Sequence, residues 1–218
     1  MKYKDASLVA SILLSLQGVV AQVQVSKEFH HKKVLENKYV RVLDVRIKPG
    51  DTTLFHIHST PSLFVYFTSQ NVCIQLKDKN WEKSKNTGGE ASYRSFVNDT
   101  LVHRVSNCDT IPFHVMDIEL LSPYKTETPL VTLPFTVLFN NEKAIAYRLS
   151  GNSFNNKIIS NRGPMIAALM AGDKIICYDV NKKKSHIIKT GNYFYIVPGT
   201  KFYLSAKDSA NVLLFEIK

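Results

Sequence analysis

Three histidines offer this sequence its clearest chemistry. His56 and His58 stand two apart in Leu54-Phe55-His56-Ile57-His58, and His103 lies far along the chain in Leu101-Val102-His103-Arg104-Val105. On a β-strand, residues two apart share a face, with backbones roughly 6 to 7 Å apart. Two imidazoles at that spacing can converge on one divalent ion at about 2.0 to 2.1 Å, and His103 would bring a third. Leu54, Phe55 and Ile57 are apolar. Buried among them, the rings are costly unless something ties them together. A metal-free polar pocket is the alternative reading. His30 and His31, beside Lys32 and Lys33, are expected at the surface, and His114 and His186 are expected to be satisfied structural histidines.

The elements that would position these rings read as strands. Runs rich in β-branched and aromatic residues cover Tyr39 to Ile47, Leu63 to Thr68, Val72 to Leu76, Val102 to Val105 and Phe113 to Leu121. Turn signals such as Pro49-Gly50-Asp51, Thr87-Gly88-Gly89, Ala171-Gly172-Asp173 and Pro198-Gly199 separate the runs, and no long 3.6-period segment appears, so the fold class is all-β. The stretch 121–134, with Pro123, Pro129 and Pro134, reads as an extended connection. Across it the chain repeats weakly, with a period of about a hundred residues. Asn37-Lys38-Tyr39-Val40 answers to Asn141-Glu142-Lys143-Ala144, and the turn at Gly50 answers to the turn at Gly151. Two barrels are expected, residues 22–128 and 129–218.

The segments Gly50 to His58 and His103 to Asn107 resemble the two motifs of the cupin superfamily. The first of these is a glycine, five residues and His-x-His, and the second ends in a histidine, three residues and an asparagine. The resemblance covers most of residues 34–121 and implies tandem jelly-roll-like barrels, a bicupin, with a metal inside the first. The glutamate that follows His-x-His in the family falls at Ser62 or Leu63, and neither can replace a carboxylate ligand. A site of His56, His58 and His103 remains. Three neutral imidazoles leave a divalent ion's charge uncancelled, which favours an anionic ligand or hydroxide. The ion is expected to be Fe, Mn, Zn or Ni. Ser62 and Tyr66, which share the inward parity of His58, and Asn107 are the expected pocket residues. Alignment through the repeat puts Lys157, Ile159 and Tyr203 where the first half has His56, His58 and His103. The second barrel should therefore be a degenerate, structural or dimer-forming module.

Lys2 and Lys4 precede an apolar run from Ala6 to Val20, and Val19-Val20-Ala21 precedes Gln22. That pattern predicts a signal peptide over 1–21 and a periplasmic or secreted protein, with no membrane association after cleavage. The apolar run is shorter than the roughly 20 residues of a spanning helix. Removing Lys2, Lys4 and Asp5 lowers the formal charge from +10 to +9. The basic residues are dispersed apart from Lys182-Lys183-Lys184, which reads as a hairpin loop, and no aromatic-basic interleaving points to nucleic acid. With three cysteines, an oxidising compartment permits one bridge, although Cys73 and Cys177 both read as ordinary buried strand residues. Two functions stay open: a mononuclear metal dioxygenase acting on a small anionic molecule, or a non-catalytic cupin that binds a small ligand or is structural.

Overall fold

The apolar and β-branched runs pair into strands, most of them with one face turned to a core and the other toward solvent. The computed structural model describes residues 22–126 and 130–218. The predicted signal peptide and the 128/129 boundary therefore touch segments outside the described residues. The first half contains β1 (Val23–Gln24), β2 (His31–Glu36), β3 (Val40–Ile47), β4 (His56–His58), β5 (Ser62–Tyr66), β6 (Gln70–Leu76), β7 (Trp81–Asn86), β8 (Ala91–Arg94), β9 (Leu101–Asn107) and β10 (Phe113–Leu120). The second contains β11 (Thr136–Asn140), β12 (Ala144–Gly151), β13 (Met165–Ala171), β14 (Lys174–Asp179), β15 (Lys184–Lys189), β16 (Tyr193–Ile196), β17 (Phe202–Ala206) and β18 (Ala210–Ile217).

These strands form four sheets. The first half has a sheet ordered β1-β4-β9-β6-β7 and another ordered β2-β3-β10-β5-β8. The second half repeats the latter as β11-β12-β18-β13-β16 and keeps β15-β14-β17 of the former. Three apolar layers hold the sheets together. Leu43, Val45 and Ile47 meet Val72 and Val105 inside the first half, and Tyr147, Met165 and Leu214 meet Ile175 and Leu204 inside the second. Between the halves, Val42, Leu63 and Ile118 pack against Ala146, Ile166 and Phe215. Alternation along β10 serves two layers at once: Phe113 and Val115 point into the first half, while Met116, Ile118 and Leu120 point to the shared core. Every residue of β10 is buried as a result.

The repeat is visible in atomic detail. Asn37 Oδ1 accepts the amides of Tyr39 and Val40, and Asn141 Oδ1 accepts those of Lys143 and Ala144. In the first half His56 lies opposite His103 on paired strands, and the corresponding bridge in the second half joins Ile159 to Phe202. Both of those residues are buried and apolar. The sequence alignment therefore slips at the site: Ile159, not Lys157, stands where His56 stands, and Phe202, not Tyr203, where His103 stands. Tyr203 instead stacks on Tyr178 at 5.1 Å between ring centres.

Candidate metal centre

The ends of the two sequence motifs hold each other and thereby set the register of the histidine strands. Gly50, at φ +80°, turns the chain ahead of β4, and its amide donates to Asn107 O at 2.9 Å. Asn107 Nδ2 donates to Ile47 O and Ile111 O. Asn107 is thus a bracket between turns and not the pocket residue expected from sequence. Thr53 continues the lacing, donating its amide to Val105 O and accepting the Val105 amide at Oγ1, both at 2.9 Å. β9 is fixed beside β4, so His103 meets His56.

The three predicted rings are brought together. Ring centres lie 5.0 Å apart for His56–His58, 4.6 Å for His56–His103 and 5.0 Å for His58–His103. The Nε2 atoms of His58 and His103 stand 3.1 Å from each other. A fourth ring joins them. His31 opens β2 and is buried, with its ring centre 4.6 Å from that of His56. His31, His56 and His58 present ligand atoms within 4.8 Å of one another, a group able to hold a metal ion. The expected surface position of His31 is therefore wrong. His30 is also largely covered, with Nδ1 3.0 Å from Glu28 Oε1. The neighbouring lysines misled the reading, because β2 is an edge strand whose outer side is solvated while its first residue turns inward.

Hydrogen bonds decide which nitrogens are free. His56 Nδ1 donates to Leu54 O at 2.9 Å, so its lone pair is on Nε2, and Nε2 is buried without a partner. His31 Nδ1 lies 2.7 Å from Glu28 Oε2 and donates to that carboxylate. Such a bond fixes the tautomer and leaves Nε2 basic, the usual support of a metal-binding histidine. Burial would raise the Glu28 carboxyl, but bonds from His31 and His30 outweigh it and hold the group at about 2. Burial lowers His56 to about 4, with His31 adding, and lowers His103 to about 3, with His56 adding. His58 is depressed further by burial and by His103. The rings are consequently neutral, as coordination requires. An unpartnered buried lone pair among neutral imidazoles fits a divalent transition ion.

A carboxylate absent from the sequence reading also faces the cluster. Asp117, wholly buried on β10, has Oδ2 3.5 Å from His58 Nδ1, and neither oxygen has a hydrogen-bond partner. Burial, reinforced by Glu119, pushes this carboxyl up to about 8. Ser62 is fully buried and donates to Thr60 O at 3.1 Å. Ser62, expected as a pocket residue, is not among the residues that wall the two cavities at the histidine cluster. Tyr66 does line one. The mouth of the first half opens as a cavity of about 540 Å³ walled by Phe64, Tyr66, Ile74, Lys83, Arg94 and Phe96, among others, with His58 and His103 at its floor. A smaller interior cavity of about 100 Å³ continues past the same two rings to His31, His56 and Asp117.

His114 and His186 stand apart from this cluster. His114 Nε2 is 2.7 Å from Asp44 Oδ1, and His186 stacks on Phe194. Cys73 and Cys108 form a disulfide, and Cys177 is free and buried. Cys73 is therefore not the unpaired strand residue it resembled. No helix among the described residues is long and apolar enough to cross a membrane.

No protein-family model and no curated protein matches the sequence. The fold, by contrast, is matched widely among solved structures. Salicylate 1,2-dioxygenase from Pseudaminobacter salicylatoxidans is similar at TM-score 0.59 and 10% identity, covering 88% of this chain and 77% of its own. A cupin 2 conserved barrel domain protein from Leptotrichia buccalis is similar at TM-score 0.57 and 10% identity, with 86% and 88% covered. YhhW from Escherichia coli follows at TM-score 0.55 and 13% identity, with 88% and 84% covered. The fold is that of the cupins.

Proposed function

We propose that this chain is an exported bicupin that binds one divalent transition metal in its first half and takes up a small anionic molecule there, with dioxygenation as the candidate reaction. One observation carries the reading: His58 and His103 belong to the histidine cluster and also floor an open cavity whose wall holds Arg94 and Lys83. A bound ion would supply Lewis-acid attraction for an anionic oxygen and, if redox-active, a route for electrons from the bound molecule to oxygen. The protein's own part is recognition. Arg94 and Lys83 attract the charge, and Phe64, Phe96 and Ile74 offer apolar walls to the body of the molecule. An aromatic or branched carboxylic acid suits that division, and a structurally similar protein is a salicylate dioxygenase. The Cys73–Cys108 bridge supports an oxidising compartment, in keeping with the predicted signal peptide.

Ser62, in the place of the family's glutamate ligand, favours the second reading, a cupin that captures its ligand without turning it over. One experiment separates the two. The protein is reconstituted anaerobically with Fe(II), Mn(II), Zn(II) or Ni(II), its metal content is measured, and oxygen uptake is followed against a panel of carboxylic acids. Close to one equivalent of metal together with acid-dependent oxygen consumption is expected. Metal with tight acid binding and no oxygen uptake would select the capture reading, and a protein that stays metal-free would sink the oxygenase reading and leave a metal-free binding barrel.

A further inference from the structure

The residues ahead of β3 do more than begin the chain. β1 pairs in parallel with β4, setting Val23 beside His56, while β2 pairs with β3 in the opposite sheet, setting His31 beside Val45. Residues 22–36 therefore cross from one sheet of the first half to the other, with Val25 buried in the core between them. At the crossing Glu28 is buried and held by four contacts: the Leu54 amide at 3.2 Å, the His30 amide at 2.9 Å, His30 Nδ1 and His31 Nδ1. The first of these ties the crossing to the segment that leads into β4 and His56. The carboxylate in turn leaves His31 only Nε2, and His31 lies among the free ligand atoms of His56 and His58.

We propose that this N-terminal arm is a working part of the metal centre: His31, set by Glu28, supplies an imidazole ligand where the cupin motif lacks its carboxylate, so that metal binding and docking of the arm form one equilibrium. The inference rests on the metal reading above and adds an occupant to the coordination sphere that neither sequence motif contains. Three features carry it together. They are the carboxylate that fixes the ring, the unpartnered His56 Nε2 that faces the group, and the path of the arm between the sheets. An all-imidazole sphere leaves the full charge of the ion for an incoming anion.

Zinc alone tests it on the full chain. Zinc affinity is measured by chelator competition for the wild type, His31→Ala and Glu28→Gln, and amide hydrogen exchange of residues 22–36 is followed with and without zinc. His31→Ala and Glu28→Gln should each weaken zinc binding by roughly 10- to 100-fold, as loss of a ligand or of its orienting carboxylate does. Zinc should slow exchange across the arm by roughly tenfold or more, since a ligand that binds only the docked state opposes its opening. The exchange measurement needs no variant and decides the matter if His31→Ala fails to fold. Variants that bind zinc as the wild type does, or an arm that exchanges at the same rate with and without zinc, would overturn the inference while leaving the metal site in place. A wild type that takes up no zinc would instead remove the metal reading itself.

Discussion

His58 reaches in three directions: toward His103 through Nε2, toward Asp117 through Nδ1, and along the stacked ring of Phe96 at 5.1 Å. Its replacement by alanine should strip most of the metal, because it removes the imidazole that stands between His56 and His103 in the cluster. Ile57→Ala, one residue away, should keep it, because that side chain points to the other face of β4; metal analysis of the two purified variants checks both outcomes. Arg94, whose guanidinium lies 4.9 Å over Phe96 and pairs with the exposed Asp99, is the residue placed to meet an anion. Arg94→Ala should weaken binding of a small carboxylate to the metal-loaded protein by about tenfold, the scale of one charge-assisted hydrogen bond; calorimetry reads it, with unchanged metal content as the control. Sequence could show His56, His58 and His103 because their spacing is strand geometry. It could not show Glu28, His31 or Asp117, whose relevance comes only from the sheets that face β4.

The strands legible in the sequence are the central ones. β3, β5, β6, β9 and β10 are each marked by an apolar run, and each lies inside its sheet with a paired strand on either side. β2 and β7 lie at edges and read as polar segments: Trp81–Asn86 is Trp-Glu-Lys-Ser-Lys-Asn. The disulfide was illegible for a different reason, since three cysteines permit several pairings and only the register of β6 against β9 sets Cys73 beside Ser106, two residues from Cys108. The bridge closes a loop of sequence separation 35 that spans β7, β8 and β9. Cys73→Ser should therefore cost roughly 2 to 4 kcal/mol in denaturant unfolding while leaving the metal content unchanged. Cys177 is different: burial, then Asp179, push its thiol up to about 12. A thiol-labelling reagent should modify no cysteine of the native oxidised protein and one after unfolding, as mass spectrometry would show.

Across the whole molecule, the halves share a core that neither could bury alone. Phe215 is fully buried in the layer between them, against residues of both. Phe215→Ala should destabilise the protein by about 3 to 5 kcal/mol, and fluorescence and circular dichroism should still report a single transition. A transition in two steps would show that the layer does not couple the halves. The second half adds a buried pair of its own: Arg162 donates to Glu216, which also accepts from Tyr147 Oη, and Arg162 reaches Val131 O in the connection. The doubled architecture was visible in Asn37 and Asn141, whose turns match atom for atom, but its register at the site was not. Ile159 and Phe202 replace histidines without any motif to mark the place.

That replacement makes the second half a reference built into the same molecule. Of the seven histidines, only His186 belongs to it. In a spectrum recorded with a paramagnetic ion bound, the ring signals of His31, His56, His58 and His103 should broaden or shift far from their usual positions, while that of His186 stays where it was. The protein would thus carry an internal standard for locating its own metal.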